Sequence, residues 1–133
     1  MSTLKTNTIQ HLTSGFNNVV QFVDGAGTQN GTLCRAWVNF NGTSTVAIRA
    51  QFNVTSITDN GTGDYTVNFS NAMSDANYAA VGMGGPAATN TRPYIVDAYS
   101  YSTGSLAIAS HLVDSSGPGF YYDNTNICIA VFR

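Results

Sequence analysis

The stretch VAIRAQFNVTSITDNGTGDYTVNF, residues 46–69, decides the fold class. Val46, Ile48, Ala50, Phe52 and Val54 alternate with Ala47, Arg49, Gln51, Asn53 and Thr55. Tyr65, Val67 and Phe69 alternate with Thr66, Asn68 and Ser70. A period of two sends successive side chains to opposite faces of an extended chain, so each run reads as a strand with one buried face. Between the runs, residues 58–64 carry Asn-Gly and a second Gly, the chemistry of a hairpin connection. The pattern predicts adjacent antiparallel strands at 46–57 and 65–70.

Working outward, residues 33–40 set Cys34, Ala36, Val38 and Phe40 on an apolar face, with Leu33, Arg35, Trp37 and Asn39 opposite. Asn41-Gly42 follows as a turn. Further strands are expected at 19–23, 77–83, 93–101, 105–113 and 126–132. Residues 102–105 read as a tight hairpin link, and 84–86 and 115–119 as longer loops. Residues 71–77 can hold a short helical turn capped by Ser74 or Asp75. Eight to ten short strands and no long helix make the fold class all-β. The expected architecture is a single antiparallel β-sandwich, jelly-roll-like, over residues 19–133. Residues 1–18 are polar and weakly periodic, and read as an extended N-terminal arm or attachment segment.

Composition agrees. The 133 residues fit one domain. Only 9% are charged, Glu is absent and Lys occurs once. Those two residues usually fill exposed helix faces, so a helix-rich fold is disfavoured. Thr, Asn, Gly and Ser make up 55 of the 133 residues, which suits strands and turns. With 43% hydrophobic and 11% aromatic residues, the chain has the apolar content to fold. A net charge of −2 with five scattered cations excludes a nucleic-acid partner, which needs clustered Lys and Arg. No apolar run reaches the roughly 20 residues of a membrane-spanning helix, so no membrane insertion is expected. The polar start MSTLKTNTIQHL lacks the apolar segment of a secretory signal, and the expectation is a soluble chain not exported by the general pathway.

Candidate chemistry is sparse. Ser110, His111 and Asp114 lie close in sequence, but Ser110 and His111 point to opposite faces of a strand and build no triad. No catalytic residue is assigned. Asp59 to Asp64 offers oxygen ligands, yet lacks the order and the bidentate Glu of a calcium loop, so it reads as a turn. No metal and no cofactor is expected. Cys34 and Cys128 lie in no metal or redox spacing and read as free thiols. Sequons at Asn30, Asn41, Asn53, Asn60 and Asn68 follow from the Asn- and Thr-rich composition. The aromatic residues are more informative. Tyr99 and Tyr101 are expected on one strand face. Phe120, Tyr121 and Tyr122 follow a Gly-Pro-Gly loop and precede Asp123 and Asn124. A Tyr ring stacks on a sugar or packs in an interface, and Asp or Asn beside it bonds hydroxyls. These seven residues are the candidate receptor, glycan or interface contacts.

Residues 36–43 (AWVNFNGT), 46–49 (VAIR), 52–54 (FNV), 57–69 (ITDNGTGDYTVNF) and 72–78 (AMSDANY) form a pattern. It closely resembles a domain of tail-fibre-like virion proteins from marine and cyanobacterial bacteriophages. The opening STLKTNTIQ resembles the start of such proteins. Ser74 stands where relatives often have Pro, a departure confined to a turn. The resemblance covers about a third of the chain; residues 79–133 carry no assigned motif. It implies a non-enzymatic homotrimer on the exterior of the phage particle, made in the host cytoplasm. Its partners would be copies of itself, other virion proteins and host surface glycan. Two other roles fit the same features. One is a capsid decoration protein bound to the phage head, which the short chain suits. The other is a carbohydrate-binding lectin-like module.

Overall fold

The computed structural model describes residues 19–24, 27–85, 94–114 and 117–133. Among them there is no helix. The chain divides into two compact units after Leu33. The first contains β1 (Val19–Asp24) and β2 (Gly27–Thr32), an antiparallel hairpin in unbroken register from Val19↔Thr32 to Asp24↔Gly27. The second, Cys34–Arg133, is an antiparallel β-sandwich. The sandwich expected over 19–133 therefore begins at Cys34, and the hairpin is a unit of its own. The expected arm, residues 1–18, lies outside the described residues.

One sheet of the sandwich has four strands in the order β4 (Ala47–Phe52), β3 (Cys34–Asn41), β11 (Asn126–Phe132), β7 (Ala79–Gly85). The other has five. In it β9 (Ser105–Asp114) pairs along one edge with β8 (Tyr94–Tyr101). Along its other edge β9 pairs with β6 (Asp64–Phe69) and β10 (Gly117–Tyr121), and β6 pairs in turn with β5 (Val54–Gly61). The core is filled by alternate residues from both sheets. Ala36, Val38, Phe40, Ile127, Ile129 and Val131 come from one, and Tyr65, Val67, Phe69, Leu106 and Ile108 from the other. The alternation expected at 33–40 and 65–70 is the alternation observed. The sheets come very close at β7 and β8. A Cβ on Gly82 would lie 2.9 Å from the Val96 side chain, so only glycine admits that approach.

The segment 46–57 is not one strand. It breaks at Asn53, whose φ of 56° is left-handed. β4 pairs with β3 in one sheet, and β5 pairs with β6 in the other. The chain therefore crosses between layers at Asn53, and the expected pairing with 65–70 holds only for the second half. Ala50 and Phe52, expected on the buried face with Ile48, are turned out by a register shift opposite Asn39 and Phe40, which sets Phe52 beside Trp37 at 54% exposure. Asn tolerates this backbone because its side chain can bond locally. Here Asn53 Nδ2 donates to Arg35 O and to Asn71 O, both at 3.0 Å. Its Oδ1 accepts from Asn71 N at 2.7 Å.

Three smaller differences have local causes. Residues 71–77 form bends instead of a helical turn. Asp75 Oδ1 accepts from Asn77 N at 2.7 Å and Met73 N donates to Thr103 O at 2.8 Å, so both amides are engaged outside a helical ladder. β2 and β10 are strands the alternation did not reveal. Their glycine-rich sequences carry no pattern, and backbone pairing alone defines them.

Asn53→Ala removes the side-chain bonds and leaves a Cβ residue in left-handed space. Bonds of this kind are worth about 1 kcal/mol each and the backbone strain 1–2 kcal/mol, so a loss of about 3–4 kcal/mol is expected. Asn53→Gly is expected to lose about 1 kcal/mol less, because it relieves the strain alone. Urea midpoints of the three proteins check the order.

Candidate functional site

One end of the sandwich is closed by a polar cluster. Tyr65 is fully buried, and its hydroxyl lies 2.7 Å from Asp123 Oδ1 and 2.9 Å from Gly42 O. The single phenolic proton is shared between those two acceptors. Asp123 Oδ1 also accepts from Gly63 N at 2.7 Å. Asn124 is fully buried; its Nδ2 donates to Ser110 Oγ at 2.6 Å, and its backbone carbonyl accepts from Gly42 N at 2.8 Å. Gly63 has φ 67°, and a Cβ there would meet Tyr122 N at 2.5 Å. Burial first, then the bond to Asp123 and its charge, hold the Tyr65 phenol far above its ordinary value of 10.0.

This cluster sets where the aromatic residues emerge. The outer face of the five-stranded sheet has a row of three residues in register, Asp64 on β6, Ala109 on β9 and Asp97 on β8. The next row is Tyr121, His111 and Ile95. Tyr99 reaches across from β8 and donates its hydroxyl to Asp64 Oδ1 at 2.7 Å. Ala109, in register between Asp64 and Asp97, is only 3% exposed although it faces outward. The Tyr99 ring is thus a platform fixed at both ends and 55% exposed. The bond to Asp64, more than burial, raises its phenol above the ordinary value. Beside it the Tyr121 and His111 rings lie 4.8 Å apart, and His111 Nε2 is 3.8 Å from Asp97 Oδ2.

The seven predicted residues therefore separate. Tyr99 and Tyr121 meet on this face, joined by His111, Asp64 and Asp97, which the sequence reading left out. Tyr101 does not share the Tyr99 face. A register shift between Ala98 and Ser100 turns it to the core edge, where its ring lies 5.2 Å from that of Tyr78. Tyr122 pairs with Tyr94 at 6.0 Å, and Phe120 is 66% exposed. Asp123 and Asn124 belong to the polar cluster, and Asn124 is buried beyond the reach of a ligand. The spacing of Asp64, Asp97 and His111 gave no signal, because only the strand order brings them together.

Ser110 and His111 face opposite ways, as their adjacency in a strand requires: Ser110 is buried on Asn124, His111 sits outside on Tyr121. The Asp59–Asp64 segment is the β5–β6 hairpin end, with Asp59 Oδ1 accepting from Gly61 N at 3.0 Å. Cys34 and Cys128 are free thiols.

The opposite outer face is different in kind. Across the four-stranded sheet, Phe52, Trp37, Ala130 and Val81 stand in one register row, and Ala50, Asn39, Cys128 and Met83 in the next. Met83 is 76% exposed, and Trp37, Phe52 and Val81 are exposed with it. Its charged neighbours are Arg35 and Arg49 on β3 and β4, the latter bonded to Asn39 Oδ1 at 3.2 Å.

No family model matches the chain, and no curated protein or solved structure matches it.

Because the folded Tyr65 phenol titrates above the unfolded one, its contribution to stability is whole below pH 10 and is lost as pH rises past it. The urea midpoint should therefore fall in alkali. Tyr65→Phe should cost about 1.5–3 kcal/mol near neutrality, the worth of a bond to a charged group. It should also make the alkaline decline shallower. A decline as steep as wild type would remove Tyr65 from the explanation.

Proposed function

We propose that this chain is a non-enzymatic phage virion structural protein, a trimeric tail-fibre or receptor-binding type protein of the particle exterior that contacts host surface glycan. The resemblance of residues 36–78 to such proteins supplies the class. One observation of the fold carries the reading further: the two outer faces of the sandwich differ in kind. The Trp37, Phe52, Val81 and Met83 face is apolar and aromatic, the composition of interface cores, which are poor in charge. It supports packing against protein, first of all copies of the same chain. The Tyr99 and Tyr121 face joins flat rings to carboxylates, the combination that holds sugars. A capsid decoration protein would need the same apolar face, and the number of copies per virion separates the two roles.

Light scattering at micromolar concentration should return a trimer. Phe52→Asp with Val81→Asp should give a folded monomer, and deletion of residues 1–18 should weaken assembly. Labelled trimer should adsorb to susceptible cells and compete with phage. A wild-type monomer would refute the assembly, and an assembled trimer that does not adsorb would refute the receptor role.

A further inference from the structure

We infer that the Tyr99–Tyr121 face selects a saccharide bearing a free, positively charged amino group. The inference rests on the host-surface reading above and narrows its ligand. The ring platform comes first. Tyr99 is fixed by its hydroxyl on Asp64 and is half exposed, so its open face is presented without further ordering. The Tyr121 ring stands on the same face, tilted by 39° against that of His111. Such rings accept the C–H face of any sugar and so do not choose among sugars. Charge makes the choice. Asp64 and Asp97 flank Ala109 from opposite sides in one row, two strand spacings or about 10 Å apart. The Asp97 side chain is 62% exposed.

No Lys or Arg among the described residues stands on this sheet; the group beside Asp97 able to carry positive charge is His111, whose Nε2 lies 3.8 Å from Asp97 Oδ2. Arg35 and Arg49 are on the other sheet, and Arg133 is bonded to Asp75. An ammonium group over the platform would meet the negative faces of the rings and a carboxylate at either side, which is favourable in both terms. An acidic sugar would meet repulsion from the same pair. A neutral sugar would gain the stacking alone.

Three hexasaccharides with one β-1,4 backbone test this: glucosamine with free amines, its fully N-acetylated form, and glucose. Titration calorimetry at low ionic strength and near-neutral pH should give the free-amine oligomer about tenfold tighter binding than the other two. Asp97→Asn should bring the affinity for the free-amine oligomer down toward that for the other two. Tyr121→Ala should weaken all three, and near-ultraviolet dichroism should report its fold. Equal affinity for the three sugars would overturn the inference and leave the receptor role standing. Binding of none, by a trimer that still adsorbs to cells, would overturn it too. Failure of adsorption itself would count against the role.

Discussion

The Tyr65 hydroxyl is the point on which both sheets depend. It bonds Gly42, in the link between β3 and β4, and Asp123, in the link between β10 and β11. Asp123 holds the β5–β6 turn through Gly63 N, and Ser110 of β9 donates its amide to Gly63 O at 2.7 Å. Five segments, distant in sequence, meet within a few hydrogen bonds. Burying so many polar groups is costly unless they are satisfied; most of the cluster's are, and among the described residues Asn124 Oδ1 is the buried oxygen left without a partner. Gly42 and Gly63 follow from the cluster. A Cβ on Gly42 would lie 2.5 Å from the Tyr65 hydroxyl oxygen, and one on Gly63 would strike the backbone of β9 and of Tyr122.

The same cluster governs what the surface can do. Asp123 and Asn124 are bound inward, so the chain just before them is pinned, and Tyr122 N is tied to Ser110 O at 2.9 Å. That pin sets Tyr121 opposite His111. Tyr99 is placed by a different device, the register shift in β8 that frees its side chain to cross to Asp64. Two aromatic side chains from separate strands therefore reach one face for two independent reasons, one at the turn end of the sandwich and one within the sheet.

The parts of the fold that were legible in the sequence are those with strict alternation. Residues 34–41, 64–69 and 126–132 bury every second residue, and the hydrophobic effect alone dictates which. The break at Asn53 was not legible. The alternation continues through it from Phe52 to Val54, and only the left-handed backbone of Asn53, with its bonds to Arg35 and Asn71, divides it. β10 was hidden for the opposite reason, since Gly117, Pro118 and Gly119 have no apolar side chains to alternate. At the candidate site, Tyr99 and Tyr121 were legible as exposed aromatics beside turns. Tyr101 was misplaced by one bulge, and Asp123 was misread because a carboxylate next to a tyrosine run says nothing of the buried hydroxyl 58 positions away.

The Glu-free, Lys-poor composition takes on a sharper meaning from this arrangement. Few charges remain among the described residues, and four of them have structural duties: Asp123 in the cluster, Asp75 with Arg133 and Asp59 on its own turn. Asp64 is half committed, to Tyr99. Asp97 is the carboxylate that makes no closer approach than 3.8 Å, to His111. Ser56, Thr58, Thr66 and Asn68 occupy the rest of the five-stranded sheet's outer face, where Asn68 Nδ2 bonds Ser56 Oγ and Thr58 Oγ1. A face whose neutral polar groups bond one another offers little competing attraction. On this face the carboxylates Asp64 and Asp97 stand at the aromatic end, so the composition that leaves Ser56, Thr58, Thr66 and Asn68 neutral is what makes that end distinct.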